Sequence, residues 1–141
     1  MQNREIIKEM LEERQELLVS FCRLTGLEPF SSDHASLEHL ARFCQTLVDY
    51  AGIAHFEIFQ KLAETDAGEP TADHRRARSL FDPLIDNTKV LVDFNDKYDA
   101  ALPTFSVERL GDDLSRLGEQ LAGRFELEDA LIRLLQERGG S

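Results

Sequence analysis

The spacing of apolar residues between positions 37 and 62 constrains this chain more than any other feature. Leu37, Leu40, Cys44, Leu47, Ala51, Ala54, Ile58 and Leu62 recur in steps of three or four, the period of an α-helix buried along one side. Three further stretches have the same period. Residues 3–25 carry Ile6/Ile7, Met10/Leu11, Leu17/Leu18, Phe21 and Leu24; a third stretch from about Asp73 carries Ala77, Leu80/Phe81, Leu84, Thr88, Leu91, Phe94/Asn95 and Tyr98. A fourth, beyond Pro103, carries Leu110, Leu114, Leu117, Leu121, Phe125, Leu131 and Leu135. The apolar/polar alternation of strands is absent from the sequence. Long amphipathic helices joined by short connections bury their stripes against one another, so the expected fold is all-α, an up-down-up-down four-helix bundle, with residues 1–141 forming one domain.

The breaks between helices have local causes. Gly26 and Pro29 stop the first helix. Ser31, Ser32 and Asp33 offer N-cap side chains to the second, which should run to about Thr65 and is long enough to bend near Gly52. Pro83 should kink the third helix or restart it with Asp82 as cap. Ser106 is placed to cap the fourth, and Gly139-Gly140 to end it.

The formal net charge is −11, and the acidity extends along the chain beyond the first helix. Such a surface repels nucleic-acid phosphate and anionic membrane and attracts a basic partner. No run of eighteen apolar residues is present and the first residues lack a signal-peptide core, so a cytoplasmic protein is expected. Cys22 and Cys44 are too few and too far apart for a disulfide framework or thiolate metal site, and both are expected to be buried free thiols. The residues three before each histidine are Ser31, Ser36, Gly52 and Thr71, so the Glu-x-x-His ligation of di-iron bundles is missing. No cofactor and no catalytic triad is indicated, and the chain reads as a non-enzyme.

Charged residues on apolar stripes are the candidate functional groups. Arg14 falls between Leu11 and Leu17 and needs a partner or a route to water. Arg124 and Glu128 continue the stripe of the fourth helix and, four apart, can pair with each other. Gln45, Asp49, Gly52 and Phe56 form a mixed stripe beside the apolar seam of the second helix. Asp49, between Val48 and Tyr50 on a helix expected to be largely buried, either pairs inside with Arg14 or Arg124 or meets a cation from a partner. His55 projects with Val48, Gly52 and Phe59 as a structural histidine.

Three stretches resemble the Rsd/AlgQ family of bacterial anti-sigma regulators. They are Leu11-x-Glu13-Arg14-Gln15; Phe43-Cys44-Gln45-x-Leu47-Val48-Asp49-Tyr50 with His55-Phe56 a turn later; and Gly118-Glu119-x-Leu121-x-x-Arg124-Phe125-x-Leu127-Glu128-Asp129-x-Leu131-Ile132. Ala54 stands where the family usually has glycine, and Met10 where it has tryptophan. The resemblance implies the same bundle and a partner, the C-terminal, −35-reading domain of the primary sigma factor. Binding would sequester sigma from core RNA polymerase and favour alternative sigma factors. For some relatives it also implies contact with a sugar-transport phosphocarrier. The partner-binding set it implies is Gln45, Asp49, Tyr50, His55 and Phe56 with Arg14, Arg124, Phe125 and Glu128. The alternative is a bundle that binds a small molecule or performs chemistry in its core. A large internal pocket lined by Asp49, His55 and Arg124 would mark it, whereas a surface groove would mark a binding module.

Overall fold

The structure, a computed structural model, describes residues 2–31, 33–53 and 72–138. Four α-helices account for most of these: α1 (Gln2–Thr25), α2 (His34–Ile53), α3 (Ala72–Lys97) and α4 (Leu110–Arg138). The continuation of α2 expected toward Thr65 lies outside the described residues, as do Ala54, His55, Phe56, Ile58 and Leu62.

Two side-chain layers establish the direction of each helix. An aromatic layer runs from Phe21 on α1 to Phe43 on α2, 5.8 Å between centroids, then to Phe94 on α3 at 5.9 Å and to Tyr98 at 4.7 Å. Phe21 also lies against Gly118 of α4, where a Cβ would stand 3.2 Å from the ring. A polar layer joins Arg14, Tyr50, Asn87 and Arg124 with Glu128. From the first layer to the second, residue numbers fall along α1 and α3 and rise along α2 and α4. Each helix is therefore antiparallel to its neighbours, which is the up-down-up-down bundle. Between the layers, Leu17, Leu47, Leu91 and Leu121 are buried, one from each helix. Each such leucine contributes about 1.5–3 kcal/mol on burial, so this aliphatic layer stabilises the fold more securely than the ion pairs beside it, whose desolvation offsets much of their attraction.

The helix boundaries follow the expected residues with two differences. Asp33 caps α2, its Oδ1 accepting the Ser36 N–H at 2.7 Å. Gly26 keeps a helical bond to the Cys22 carbonyl at 3.0 Å, and the chain then tightens through Leu27 N–H to the Leu24 carbonyl at 3.1 Å. Pro83 does not restart α3, which runs unbroken past it. The ring is exposed, so it faces solvent, where the carbonyl it leaves without a partner can meet water. Ser106 does not cap α4. It accepts the Glu108 N–H at 3.2 Å in a turn that precedes the helix, and α4 begins only at Leu110.

Among the described residues, the pairs α1–α2 and α3–α4 pack most extensively, and α2–α3 and α1–α4 less so. Some apolar residues read as core face outward in consequence: Leu11 and Leu18 on α1 are exposed.

Candidate functional site

Successive residues of α2 separate the candidates, because each step along a helix turns the side chain by about 100°. Tyr50 is fully buried, while Gln45, Val48 and Asp49 are exposed. Of the two placements left open for Asp49, the structure gives the outer face and not an internal pair. Its Oδ1 accepts the Gln45 side-chain N–H at 3.0 Å, one turn earlier. Across the α1–α2 edge stands Glu13. Its carboxyl is held above the ordinary range by partial burial and by the charges of Glu16, Asp49, Glu9 and Glu12. This edge is an acidic strip.

The cations that were candidates for Asp49 are engaged elsewhere. Arg14 donates to Glu128 Oε1 at 3.0 Å, to Asp129 Oδ1 at 2.9 Å and to the Tyr50 hydroxyl at 3.2 Å. Its guanidinium lies over the Phe125 ring, 4.6 Å from the centroid, a cation–π contact. The Phe125 ring also meets Tyr50 edge-on at 5.9 Å. Tyr50 in turn donates to Glu128 Oε1. On the other side of Glu128, Arg124 Nε donates to Oε2 at 2.9 Å, and Arg124 Nη1 donates to Asn87 Oδ1 at 3.1 Å and Thr88 Oγ1 at 2.9 Å. Asn87 completes the layer by donating to the Gln120 backbone carbonyl at 2.9 Å. Arg124 and Glu128 are both at 0% exposure, yet each charge faces an opposite one, which is the condition for holding charges in a core.

Protonation follows the same geometry. Burial opposes the charge on Arg14, but hydrogen bonds to Tyr50 and Asp129 and the Glu128 charge hold its pKa above the usual value. Burial and the Glu128 carboxylate push the Tyr50 hydroxyl up. Tyr50 and Arg14 therefore keep their protons across the physiological range.

Of the nine residues expected to form the partner-binding set, the structure gathers Arg14, Tyr50, Arg124, Phe125 and Glu128 in the polar layer. It places Gln45 and Asp49 on the outer face of α2; His55 and Phe56 lie outside the described residues. Sequence reasoning missed Asn87. Its signal was the three-four spacing of Leu84, Asn87, Leu91, Phe94 and Tyr98, all buried, in which a polar residue was passed over for Thr88. Cys44 is a buried thiol as expected, pushed up to about 11 by burial and by the Asp99 charge. Cys22 is exposed, because Leu24 and Phe21 take the inward face of that turn. Among the described residues, nothing lies within 4 Å of the position a Cβ of Gly52 would take.

Among the described residues, grooves lie along the two less extensively packed seams. One, on α1–α4, is lined by Phe21, Phe30, Leu114, Gly118 and Ala122. Two on α2–α3 run past Cys44 and Gln45 and past Val48 and Gly52. Arg14, Arg124 and Glu128 line none of the three. Among the described residues no helix is long and apolar enough to cross a membrane.

Fold and site define an all-α four-helix bundle with an ion-pair layer in its core and an acidic strip on its outside. The chain belongs to the Rsd/AlgQ family, described as regulators of the RNA polymerase sigma(70) subunit, whose family model matches residues 1–136. It is 33% identical over 136 residues to a regulator of sigma D from Yersinia enterocolitica, covering 94% of this chain and 81% of that one. A regulator of sigma D from Yersinia pseudotuberculosis is also 33% identical, with 94% and 80% covered. Another from an Enterobacter species is 34% identical, with 92% and 79% covered. No solved structure matches.

Proposed function

We propose that this protein is an anti-sigma factor. It binds the C-terminal, −35-reading domain of the primary sigma factor in the cytoplasm and keeps it from core RNA polymerase, so that alternative sigma factors gain. The relatives named as regulators of sigma D supply the partner class. The observation that carries the reading to a surface is Asp49, which is outside the bundle beside an exposed valine while Arg14 and Arg124 are engaged within. A domain that reads DNA is basic because it contacts phosphates. A chain of net charge −11 meets it as a charge complement and gains association rate from steering. In this reading Asp49 and Gln45, with His55 and Phe56, are contacts. Arg14, Tyr50, Arg124, Phe125 and Glu128 hold the helix that presents them. The alternative of chemistry in the core is less favoured, because Arg124 and Glu128 fill that position themselves.

The test is a titration of the isolated sigma domain against wild type and Asp49→Asn. Removing the carboxylate from a desolvated interface pair should weaken binding by at least about tenfold, or 1.4 kcal/mol, with the thermal melt nearly unchanged. Equal affinities for the two proteins would remove Asp49 from the interface.

A further inference from the structure

The apolar surface of α2 is wider than the core it faces. At about 100° per residue, Tyr50, Phe43, Leu47, Leu40, Cys44 and Val48 follow one another round roughly 160° of the helix, whereas an apolar stripe about 100° wide is enough to face a core. Burial declines in that order, from 0% exposure at Tyr50 and Phe43 to 7% at Cys44 and 41% at Val48. The helix is thus turned so that the Tyr50 end of its apolar arc is inside and the Val48 end is out.

Hydrophobic burial is non-directional. A small roll of α2 that draws Val48 inward and Tyr50 outward exchanges one apolar contact for another, so the leucines between them do not by themselves set the angle. The angle matters at Asp49, one step of about 100° beyond Tyr50. It places the carboxylate on the α1 edge, where its charge reaches Glu13. The same roll would turn it away from α1 and toward α3.

A hydrogen bond does have direction. The Tyr50 hydroxyl donates to Glu128 Oε1 and accepts from Arg14 Nε at 3.2 Å. Both partners are held independently of it. Glu128 takes Arg124 Nε on its other oxygen at 2.9 Å, and Arg14 bonds Asp129 at 2.9 Å and rests on the Phe125 ring. Through this one hydroxyl α2 is bonded to both α1 and α4.

We propose that Tyr50 is a positioning residue for the sigma-binding face: its hydroxyl, held between Glu128 and Arg14, sets the rotation of α2 and so keeps the Asp49 carboxylate on the α1 edge. The inference rests on the function proposed above and adds the group that aims the contact. Tyr50 acts on affinity through the angle of the helix. Phenylalanine in its place keeps a ring against Phe125 and leaves Glu128 with both arginines, so only the aim is lost.

The test is a double-mutant cycle, read by titration of the isolated sigma domain at a temperature where every variant has the helix content of wild type. Tyr50→Phe should weaken binding by about tenfold, the worth of a hydrogen bond to a charged group. Asp49→Asn, expected to cost at least about tenfold alone, should cost about threefold or less once Tyr50 is phenylalanine, because the two changes remove one interaction. Thr88→Val takes a bond from Arg124 in the same layer without touching Tyr50, and should bind as wild type does even if its melt falls. The roll is read directly by thiol labelling of Val48→Cys in a Cys22→Ser background. Tyr50→Phe should slow the labelling, since position 48 moves inward, whereas a merely loosened fold would speed it. If Tyr50→Phe binds like wild type, if Asp49→Asn costs the same in both backgrounds, if Thr88→Val weakens binding as much as Tyr50→Phe, or if labelling does not slow, the proposal is overturned and the sigma-binding function stands. If wild type itself does not bind, the function fails and this inference fails with it.

Discussion

Tyr50 and Tyr98 are the two tyrosines of the chain, and they build the same contact at two levels of the bundle. Each donates its hydroxyl to a carboxylate of α4, Tyr50 to Glu128 and Tyr98 to Asp113. Each carboxylate also takes a cation, Arg14 at 3.0 Å and Lys97 at 2.6 Å. Each cation lies over a ring, Arg14 over Phe125 at 4.6 Å and Lys97 over Tyr98 at 5.7 Å. What differs is water. The Glu128 side chain is at 0% exposure, whereas Asp113 is at 15% and Lys97 at 54%. Alike in geometry, the two junctions should differ in consequence, because a charge stripped of its partner in the core has no solvent to turn to. Number and length of bonds do not rank them; burial does.

The largest effect expected is at the buried junction. Glu128→Ala leaves Arg124 in the core without its carboxylate and removes one of two from Arg14, and should cost about 3–5 kcal/mol in equilibrium urea denaturation. Replacing Arg124 and Glu128 together by Met and Leu should be close to neutral, since the desolvation penalty goes with the attraction. A Glu128→Ala loss below about 1 kcal/mol would bring the two junctions level and end the contrast.

Alkali acts on both junctions at once. Burial and the Glu128 charge raise the Tyr50 pKa; burial and the bond to Asp113 raise that of Tyr98. A folded pKa above the unfolded value means the fold holds the proton more tightly. The stabilisation is therefore fully present below about pH 10, the unfolded value, and is lost as pH rises through the folded values. Cys44, raised to about 11, begins the same loss somewhat lower. In a chain without tryptophan, tyrosinate absorbance should stay flat past pH 10 and then appear together with loss of helix. A tyrosine that ionises while the helices persist would show one junction open to solvent.

How much of this was legible in the sequence depends on what fixes each feature. The helices were, because period and punctuation are local: Asp33 caps where a cap was expected, and α1 ends where Gly26 and Pro29 stand. That Arg14 needed a partner, and that Arg124 and Glu128 could pair, followed from their places on apolar stripes. The partition of α2 did not follow. Its leucines and alanines suggested a seam, but Phe43 and Tyr50 are both fully buried and turn the inward face toward α1. That rotation carries Asp49 to the outside. Which of two adjacent polar residues faces in is decided by where another helix puts its own charge, here Glu128, seventy-eight positions from Tyr50. Asn87 was missed for the same reason, since its value lies in Arg124.

The smallest effect belongs to the exposed junction, and it is the sharper test because the competing accounts differ in whether salt and acid erase it. Lys97→Met removes the ammonium from Asp113 but keeps an apolar stem to pack on Tyr98. Exposed pairs are worth about 0.2–1 kcal/mol, so the loss should fall in that range at 0.1 M salt. It should fade at 1 M, where the Debye length drops from about 10 Å to about 3 Å. Acid should erase it as well. Burial raises the Asp113 pKa, but the bonds from Lys97 and Tyr98 prevail and hold it below the ordinary range. A depressed carboxylate stabilises above its unfolded value, about 3.9, and loses that contribution as pH falls through the folded one. Wild type and Lys97→Met should therefore converge in urea denaturation at low pH and at high salt. A difference of several kcal/mol, or one that persists at 1 M salt, would mean that Asp113 is as cut off from water as Glu128, and that burial does not separate the two junctions.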